Sequence, residues 1–409
     1  MQPGHRHALP GEHGGEHSVI PTHCPTFDPV SITGTQQSQR IHSVDGLRAV
    51  AFLAVFAFHT WEFAGRPEIP VLSSVVSQNI RPDFFVVLTG FVLFLPFARR
   101  PERMDEFQTR TYLWRRMRRI VIPYYVALAY AVLLPQLLVV VMRLFGREAS
   151  WQPMPSLGDW LSHLTFSHMF FADHWSSMNG SLWTMSLEMQ LYLLFPLLLI
   201  AANRWGWRAL VVAIVVSVIF RIVVAVFVPG ETFPDRFLWS ASGLGRLMEF
   251  AAGMLAATVA FRVADRIRRP HAFLLLGLMV VSYLVATAPV FKGTVLPVRE
   301  LGLSTLFGSL LVLVLSIPAA GRVFAWKPLA YLGYRSYSMF LIHQPTAWYV
   351  SEFLQKFLHV PEGPMLLLLL WTVGFGVVFA VGQLLFVTVE RPCINWAKST
   401  GREPAPSQA

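Results

Sequence analysis

Apolar runs close to the roughly 20 residues that carry a helix across a bilayer recur along this chain, and they restrict its fold more than any other feature. A soluble chain of this length needs few such runs. Ten are read as helices, at roughly 44–64, 82–97, 120–142, 184–202, 208–228, 243–261, 271–290, 301–318, 333–355 and 364–389. The second is short, and the ninth contains His343 and Pro345. The expected fold is all-α, a polytopic membrane helix bundle of about ten transmembrane helices. Residues 1–43 are polar and rich in His and Gly, without the apolar core of a signal peptide. They are expected to form a disordered cytoplasmic tail. The transmembrane domain is expected over 44–390, with a second cytoplasmic tail over 391–409.

Composition decides between two readings of the charge. The formal net charge of +10 could mark a nucleic-acid-binding protein. Only 14% of residues are charged, however, against about 25% in a typical soluble domain, and mean hydropathy is +0.51. The basic residues also lie in short clusters between apolar runs. That is the pattern of cytoplasmic loops, and it excludes nucleic acid as a partner. With the N-terminus placed in the cytoplasm, 21 Lys and Arg fall on inside segments, 8 on outside segments and 4 within spans. Eight of the inside arginines lie between residues 99 and 119. Both termini are therefore expected on the cytoplasmic side, and an even number of helices follows.

Cys24 and Cys393 suggest neither a disulfide framework nor a metal site. Tail histidines His5, His7, His13, His17 and His23 could bind metal, but a flexible tail accounts for them, and no metal site is expected. His42-Ser-Val-Asp45 falls one residue short of the HxxxD of soluble acyltransferases and sits at a membrane edge, so it carries no weight.

Ionisable side chains inside a membrane are costly and usually functional. Here they are Arg48, His59, Glu188, Arg221, Arg246, Glu249, Arg335 and His343, with Asp45, Glu62 and Asp83 at span ends. Structural ion pairing between helices is the competing explanation. Arg48 and His59 are eleven residues apart, which places them within about 20° of one helix face and roughly 16 Å apart along it. Arg48 then lies near the cytoplasmic end and His59 in the outer half. Glu188, Arg246 and Glu249 each lie near the start of a helix running inward, so they are expected at the level of His59. A carboxylate beside an imidazole fixes its tautomer and raises its basicity. One pocket holding His59, Glu188 and arginine is expected. RRMRR, with Arg115, Arg116, Arg118 and Arg119, suits a phosphate-rich ligand at the inner end, although topology alone also favours arginine there. The expected chemistry is transfer of a group from a cytoplasmic donor to an acceptor reached within or across the membrane. A proton-coupled transporter would also bury His, Glu and Arg, but the matching broken repeats of many transporters are not evident. A non-catalytic scaffold would leave the burial of His59 and Glu188 unexplained.

Five segments resemble acyltransferase family 3. They are DGLRAVAFLAVFAFH (Asp45 to His59), with the family's Arg, ten residues, His; RPDFFVVLTGFVLFLP (Arg81 to Pro96); GSLWTMSLEMQLYLLFP (Gly180 to Pro196); RLMEFAAGM (Arg246 to Met254); and YLGYRSYSMFLIHQP (Tyr331 to Pro345). They follow the family order over roughly 40–390. Thr89 stands where Ser is usual, Met189 replaces the second Glu of a pair, and Asp83 replaces a glycine-rich approach. The resemblance implies a bacterial cytoplasmic-membrane enzyme moving an acyl group from acyl-CoA to a hydroxyl. Acetyl-CoA or another short-chain acyl-CoA would be a co-substrate, with no permanently bound cofactor. His59 would be the general base and Glu188 its orienting acid. Arg48, Arg115, Arg116, Arg118 and Arg119 would hold the CoA phosphates, and Asp83, Arg246, Glu249 and His343 would line the substrate pocket. An acyl-histidine intermediate is a chemical variant of the same site. No esterase-like segment follows the bundle, and 29 of 33 basic residues are Arg, as coding from a GC-rich genome produces. Both features resemble the family's antibiotic-tailoring members. The expected acceptor is therefore a macrolide ring or its sugar, with an envelope polysaccharide or lipid-linked sugar as the alternative.

Overall fold

Each of the ten expected segments is helical in the computed structural model, which describes residues 34–77, 81–228, 235–262, 269–291 and 296–399. In order the helices are α1 (Gly34–Phe63), α2 (Leu72–Val76), α3 (Arg81–Arg99), α4 (Thr109–Leu144), α5 (Leu157–Leu164), α6 (Trp183–Trp205), α7 (Trp207–Phe227) and α8 (Asp235–Ser240). There follow α9 (Leu247–Arg262), α10 (Arg269–Thr287), α11 (Val298–Ser316), α12 (Pro318–Phe324) and α13 (Lys327–Leu358). A last rod joins α14 (Pro364–Leu369), α15 (Phe375–Leu385) and α16 (Arg391–Ser399) through π-turns at Leu370–Gly374 and Phe386–Glu390. No strand occurs among the described residues. Among the described residues, seven helical stretches are long and apolar enough to cross a membrane: α1, α3, α4, α6, α7, α11 and the α14–α16 rod. The protein is an all-α, multi-pass membrane bundle.

Two boundaries differ from expectation. The first helix starts at Gly34, inside the stretch read as a tail, and the last runs on to Ser399. Cys24 and the five tail histidines lie outside the described residues.

The apolar surface shows what surrounds the bundle. Val212, Val215 and Ile219 of α7 and Phe273, Leu274 and Val280 of α10 are all exposed. Soluble monomers rarely expose patches beyond a few hundred Å². Lipid covers such residues at no cost. Inside, helices approach closely where glycine removes the side chain, the usual device of membrane helix packing. A Cβ on Gly253 of α9 would strike the Val87 carbonyl of α3, and one on Gly90 would strike the Phe250 carbonyl in return. Gly333 of α13 meets the Asp45 carbonyl of α1 in the same way.

Pro345 sits within α13 without ending it. Proline has no N–H, so the carbonyl four residues earlier, Leu341, loses its helical partner. Asn179, from the loop before α6, donates its Nδ2–H to that carbonyl at 3.1 Å. This bond ties the loop before α6 to the middle of α13.

Candidate active site

Three groups of polar residues occupy the bundle interior. The first is at the arginine-rich end. At 100° per residue, Arg115, Arg119 and Arg116 cover about 100° of α4, and Arg118 faces away from Arg116 by about 160°. Accordingly, Arg115, Arg116 and Arg119 line a cavity of about 640 Å³, together with Arg103, Glu106 and residues of α16. Arg116 and Arg119 also line a deeper cavity of about 90 Å³, with Arg48, Glu188, Tyr192 and Tyr337. The two cavities share Leu93, Arg116 and Arg119 in their walls and so adjoin, the wide one and the narrow one together making a basic funnel. Three arginines and one carboxylate line its tip, a charge balance that favours an anion. Arg118 instead packs its guanidinium over Trp114 at 4.5 Å and Trp396 at 3.9 Å, outside the funnel.

Glu188 therefore belongs to the arginine end. Its Oε2 accepts the Tyr192 hydroxyl proton at 2.8 Å, and its carboxyl lies within electrostatic reach of Arg48, Arg116 and Arg119. This corrects the expectation that it would orient His59. A helix start placed at the membrane surface puts Glu188 in the outer half. The loop before α6 instead meets α13 near His343, through the Asn179–Leu341 bond, and the next turns carry Glu188 deeper.

The second group is two histidines. The His59 and His343 rings lie 5.3 Å apart, on α1 and α13. His59 Nδ1 is 3.5 Å from Glu62 Oε2, an ion-pair distance whose geometry falls short of a hydrogen bond. Glu62 is held in turn by Arg66 at 2.8 Å. The carboxylate beside the candidate base is thus Glu62, three residues along the same helix. The i,i+3 spacing was the available signal. His343 is fully buried, and its Nδ1 contacts the Phe340 carbonyl at 2.6 Å. A carbonyl only accepts, so Nδ1 carries the proton and Nε2 is a bare acceptor, with no hydrogen-bond partner. The carbonyl freed by Pro345 is taken by Asn179 rather than by His343. His59 retains 17% side-chain exposure, whereas His343 has none.

The third group is a buried ion-pair cluster in which Asp83 Oδ2, Arg246 Nε and Glu249 Oε2 have no hydrogen-bond partner among the described residues. Arg246 Nη1 donates to Asp83 Oδ1 at 2.8 Å and to Glu249 Oε1 at 2.9 Å, with both acids fully buried. Arg221 pairs with Glu300 at 2.7 Å and donates to the Ser240 and Gly245 carbonyls. None of Asp83, Arg246 and Glu249 lines either cavity of the funnel. Arg246, one residue before α9, bridges Asp83 of α3 to Glu249 of α9 and ties the two helices together, away from the donor cavities. Arg335 likewise donates to Gln383 and packs over Tyr331.

Glu390 was missed. It is fully buried, accepts both the backbone N–H and the hydroxyl of Ser338, and lies within electrostatic reach of Arg119 and Arg48. The expected last span stopped at 389, one residue short, whereas the π-turn at Phe386–Glu390 carries the helix onward. Outside the spans, His163 in the last turn of α5 and His168 in the turn that follows are buried as a stacked pair with ring centroids 4.0 Å apart. Burial, and for His163 also its neighbour His168, pushes these imidazoles down to about 3 and about 4.

Comparisons with known proteins give the family. Residues 41–387 match the family model described as "Acyltransferase domain". The chain is 26% identical over 336 residues to "Peptidoglycan O-acetyltransferase OatA" of Listeria monocytogenes, covering 75% of this chain and 49% of that protein. It is 25% identical over 341 residues to "Putative peptidoglycan O-acetyltransferase YrhL" of Bacillus subtilis, covering 76% and 49%. The chain thus spans about half the length of the curated relatives it matches. No solved structure matches it.

Proposed function

The chain belongs to acyltransferase family 3, a family of membrane O-acyltransferases, and from that premise we propose that it moves an acyl group from acyl-CoA to a glycan hydroxyl. One observation carries the donor: a funnel lined by Arg103, Arg115, Arg116 and Arg119 narrows to a cavity lined by Arg48 and Glu188. CoA is a polyanion with a long uncharged arm. Its phosphates fit the wide basic mouth, and its thioester end fits the narrow tip. The mouth is assigned to the cytoplasm because the basic residues concentrate on that side of the topology.

The acceptor is assigned from the relatives, whose names specify peptidoglycan O-acetylation. Nothing in the comparisons supports a macrolide, so an envelope glycan takes precedence over it. His59 removes the acceptor hydroxyl proton. The freed oxygen bonds to the thioester carbonyl carbon, the C–S bond breaks, and His59 returns the proton to the CoA sulfur. An ester and CoA thiol result. Glu62 orients the imidazole through Nδ1, leaving Nε2 for the substrate. Arg48 and Glu188 fix the thioester end of the donor.

The test is incubation of the purified protein in detergent with an acyl-CoA panel and three acceptor classes: peptidoglycan fragments, lipid-linked sugars and macrolides. Mass spectrometry should find the added acyl mass on a glycan, released by mild base as an ester is. Acylation of the macrolide alone would overturn the acceptor, and no use of any acyl-CoA would overturn the donor.

A further inference from the structure

The proposed donor cavity and the histidine pair are separated by a layer of aromatic rings. Along α1, Arg48, Phe52, Phe56 and His59 follow one another at helical spacing on one face. Arg48 lines the donor cavity, and Phe52 and Phe56 are buried above it. From the facing helices, Phe85 of α3 lines the same cavity and stacks on Phe340 of α13, with centroids 5.7 Å apart and planes 27° apart. Phe340 lies 5.3 Å from the His343 ring, and Phe52 meets His343 edge-on at 6.0 Å. A path from the arginine cavity to His59 therefore crosses Phe85 and Phe340 before it reaches the imidazoles.

That layer conflicts with the chemistry unless it moves or is bypassed. The thioester carbonyl must come within bonding distance of a hydroxyl that His59 deprotonates. Of the α3 residues that line the tip cavity of about 90 Å³, Phe85 is the one furthest from the arginine-rich end of that helix. Thr89, one turn nearer that end, hydrogen-bonds back to the Phe85 carbonyl at 2.9 Å and also lines the cavity. The Phe85 ring thus forms the inner wall of the space that an acyl group would occupy.

We propose that the Phe85–Phe340 stack is the gate between donor and acceptor compartments, and that Phe85 sets acyl chain length by limiting the space beyond the thioester. This rests on acyl-CoA being the donor. Two consequences follow. A short acyl group fits beneath the ring, whereas each further methylene meets it. A methylene in or out of an apolar pocket is worth about 10–200-fold in specificity. Closure also suppresses hydrolysis, in which water bonds to the acyl carbon, the C–S bond breaks, and a free acid and CoA thiol leave.

The experiment compares the full chain with Phe85→Ala, Phe85→Leu and Phe85→Tyr, matched for thermal unfolding in detergent. Thiol release from acetyl-CoA is measured with and without glycan acceptor, and kcat/KM is measured for acetyl- and hexanoyl-CoA. Phe85→Ala should raise acceptor-independent hydrolysis at least tenfold. It should also lower the acetyl-over-hexanoyl preference at least tenfold. Phe85→Tyr, which keeps the ring, should shift neither quantity in the direction of Phe85→Ala. A folded Phe85→Ala with both quantities within twofold of wild type overturns the gate. If Phe85→Ala does not fold, Phe85→Leu decides by the same two readouts, and no change there overturns it. If wild type releases thiol from no acyl-CoA under any condition, the donor assignment fails and the gate fails with it. Wild-type turnover with an unaltered variant sinks the gate alone.

Discussion

Replacing single arginines within RRMRR separates ligand binding from topology. All four side chains belong to one basic cluster, yet Arg116 and Arg119 line both cavities, whereas Arg118 is packed over Trp114 and Trp396. A hydrogen bond to a charged group contributes about 1.5–3 kcal/mol. At 1.4 kcal/mol per tenfold, losing one such bond to a phosphate corresponds to about 10- to 150-fold in affinity. Arg116→Gln and Arg119→Gln are each expected to raise KM for acyl-CoA by that factor while the protein still inserts. Arg118→Gln should leave KM within twofold and instead lower thermal stability, since each cation–π contact is worth about 0.5–2 kcal/mol. The assay is steady-state thiol release in detergent, repeated with acyl-pantetheine, which carries the thioester without phosphates. With that donor the three variants should converge on the wild-type KM. An equal KM increase in all three would refute the reasoning, as would an Arg116→Gln defect that persists with the phosphate-free donor. A failure of insertion in all three would reduce the cluster to a topology signal.

Two further perturbations probe the scaffold. Arg246→Met leaves Asp83 and Glu249 buried without a cation, and breaking a buried pair costs about 3–5 kcal/mol. Thermal unfolding should show that loss while the KM for donor of the surviving folded fraction stays unchanged; a raised KM at normal stability would return the triad to the substrate pocket. The His163–His168 pair makes the segment around α5 acid-sensitive. Both imidazoles titrate well below 6.5 when folded, so the unfolded segment binds more protons, and stability is complete above about pH 6.5 and declines below it. At pH 5.5 each group should cost about 1.4 kcal/mol, read as faster proteolysis of the segment at pH 5.5 than at 7.5. A pH-independent cleavage rate over that range, measured with an acid-tolerant protease, would contradict the burial of this pair.

What the sequence made legible follows the reach of each signal. Apolar run length located ten helical segments, of which seven are long and apolar enough to cross a membrane, because crossing a bilayer is a local requirement. The eleven-residue interval from Arg48 to His59 correctly assigned them to different levels of one helix, since helical rise is fixed. The depth of Glu188 was not legible. The tie between the loop before α6 and the middle of α13 joins a carbonyl freed by Pro345 to an amide from Asn179, 162 residues earlier in the chain than the carbonyl it reaches. The charges Asp83, Arg246 and Glu249 were identified as unusual, but their pairing with one another required the glycine-mediated contact of α3 and α9. Arg118 could have been set apart by its angle on the helix alone, whereas Glu390 could not, because a π-turn extends its helix.

The most direct measurement is acyl transfer by His59→Ala and His343→Ala, compared at matched expression with the same acyl-CoA and glycan acceptor. General-base catalysis contributes about 10²–10⁴-fold, so His59→Ala is expected to lower kcat by that order while acyl-CoA affinity stays nearly intact. His343→Ala should retain far more turnover, because its ring is buried behind Phe340 and is packed against His59. Should the His59 variant keep most of its turnover while the His343 variant loses it, the base sits on α13 and the assignment of His59 is contradicted.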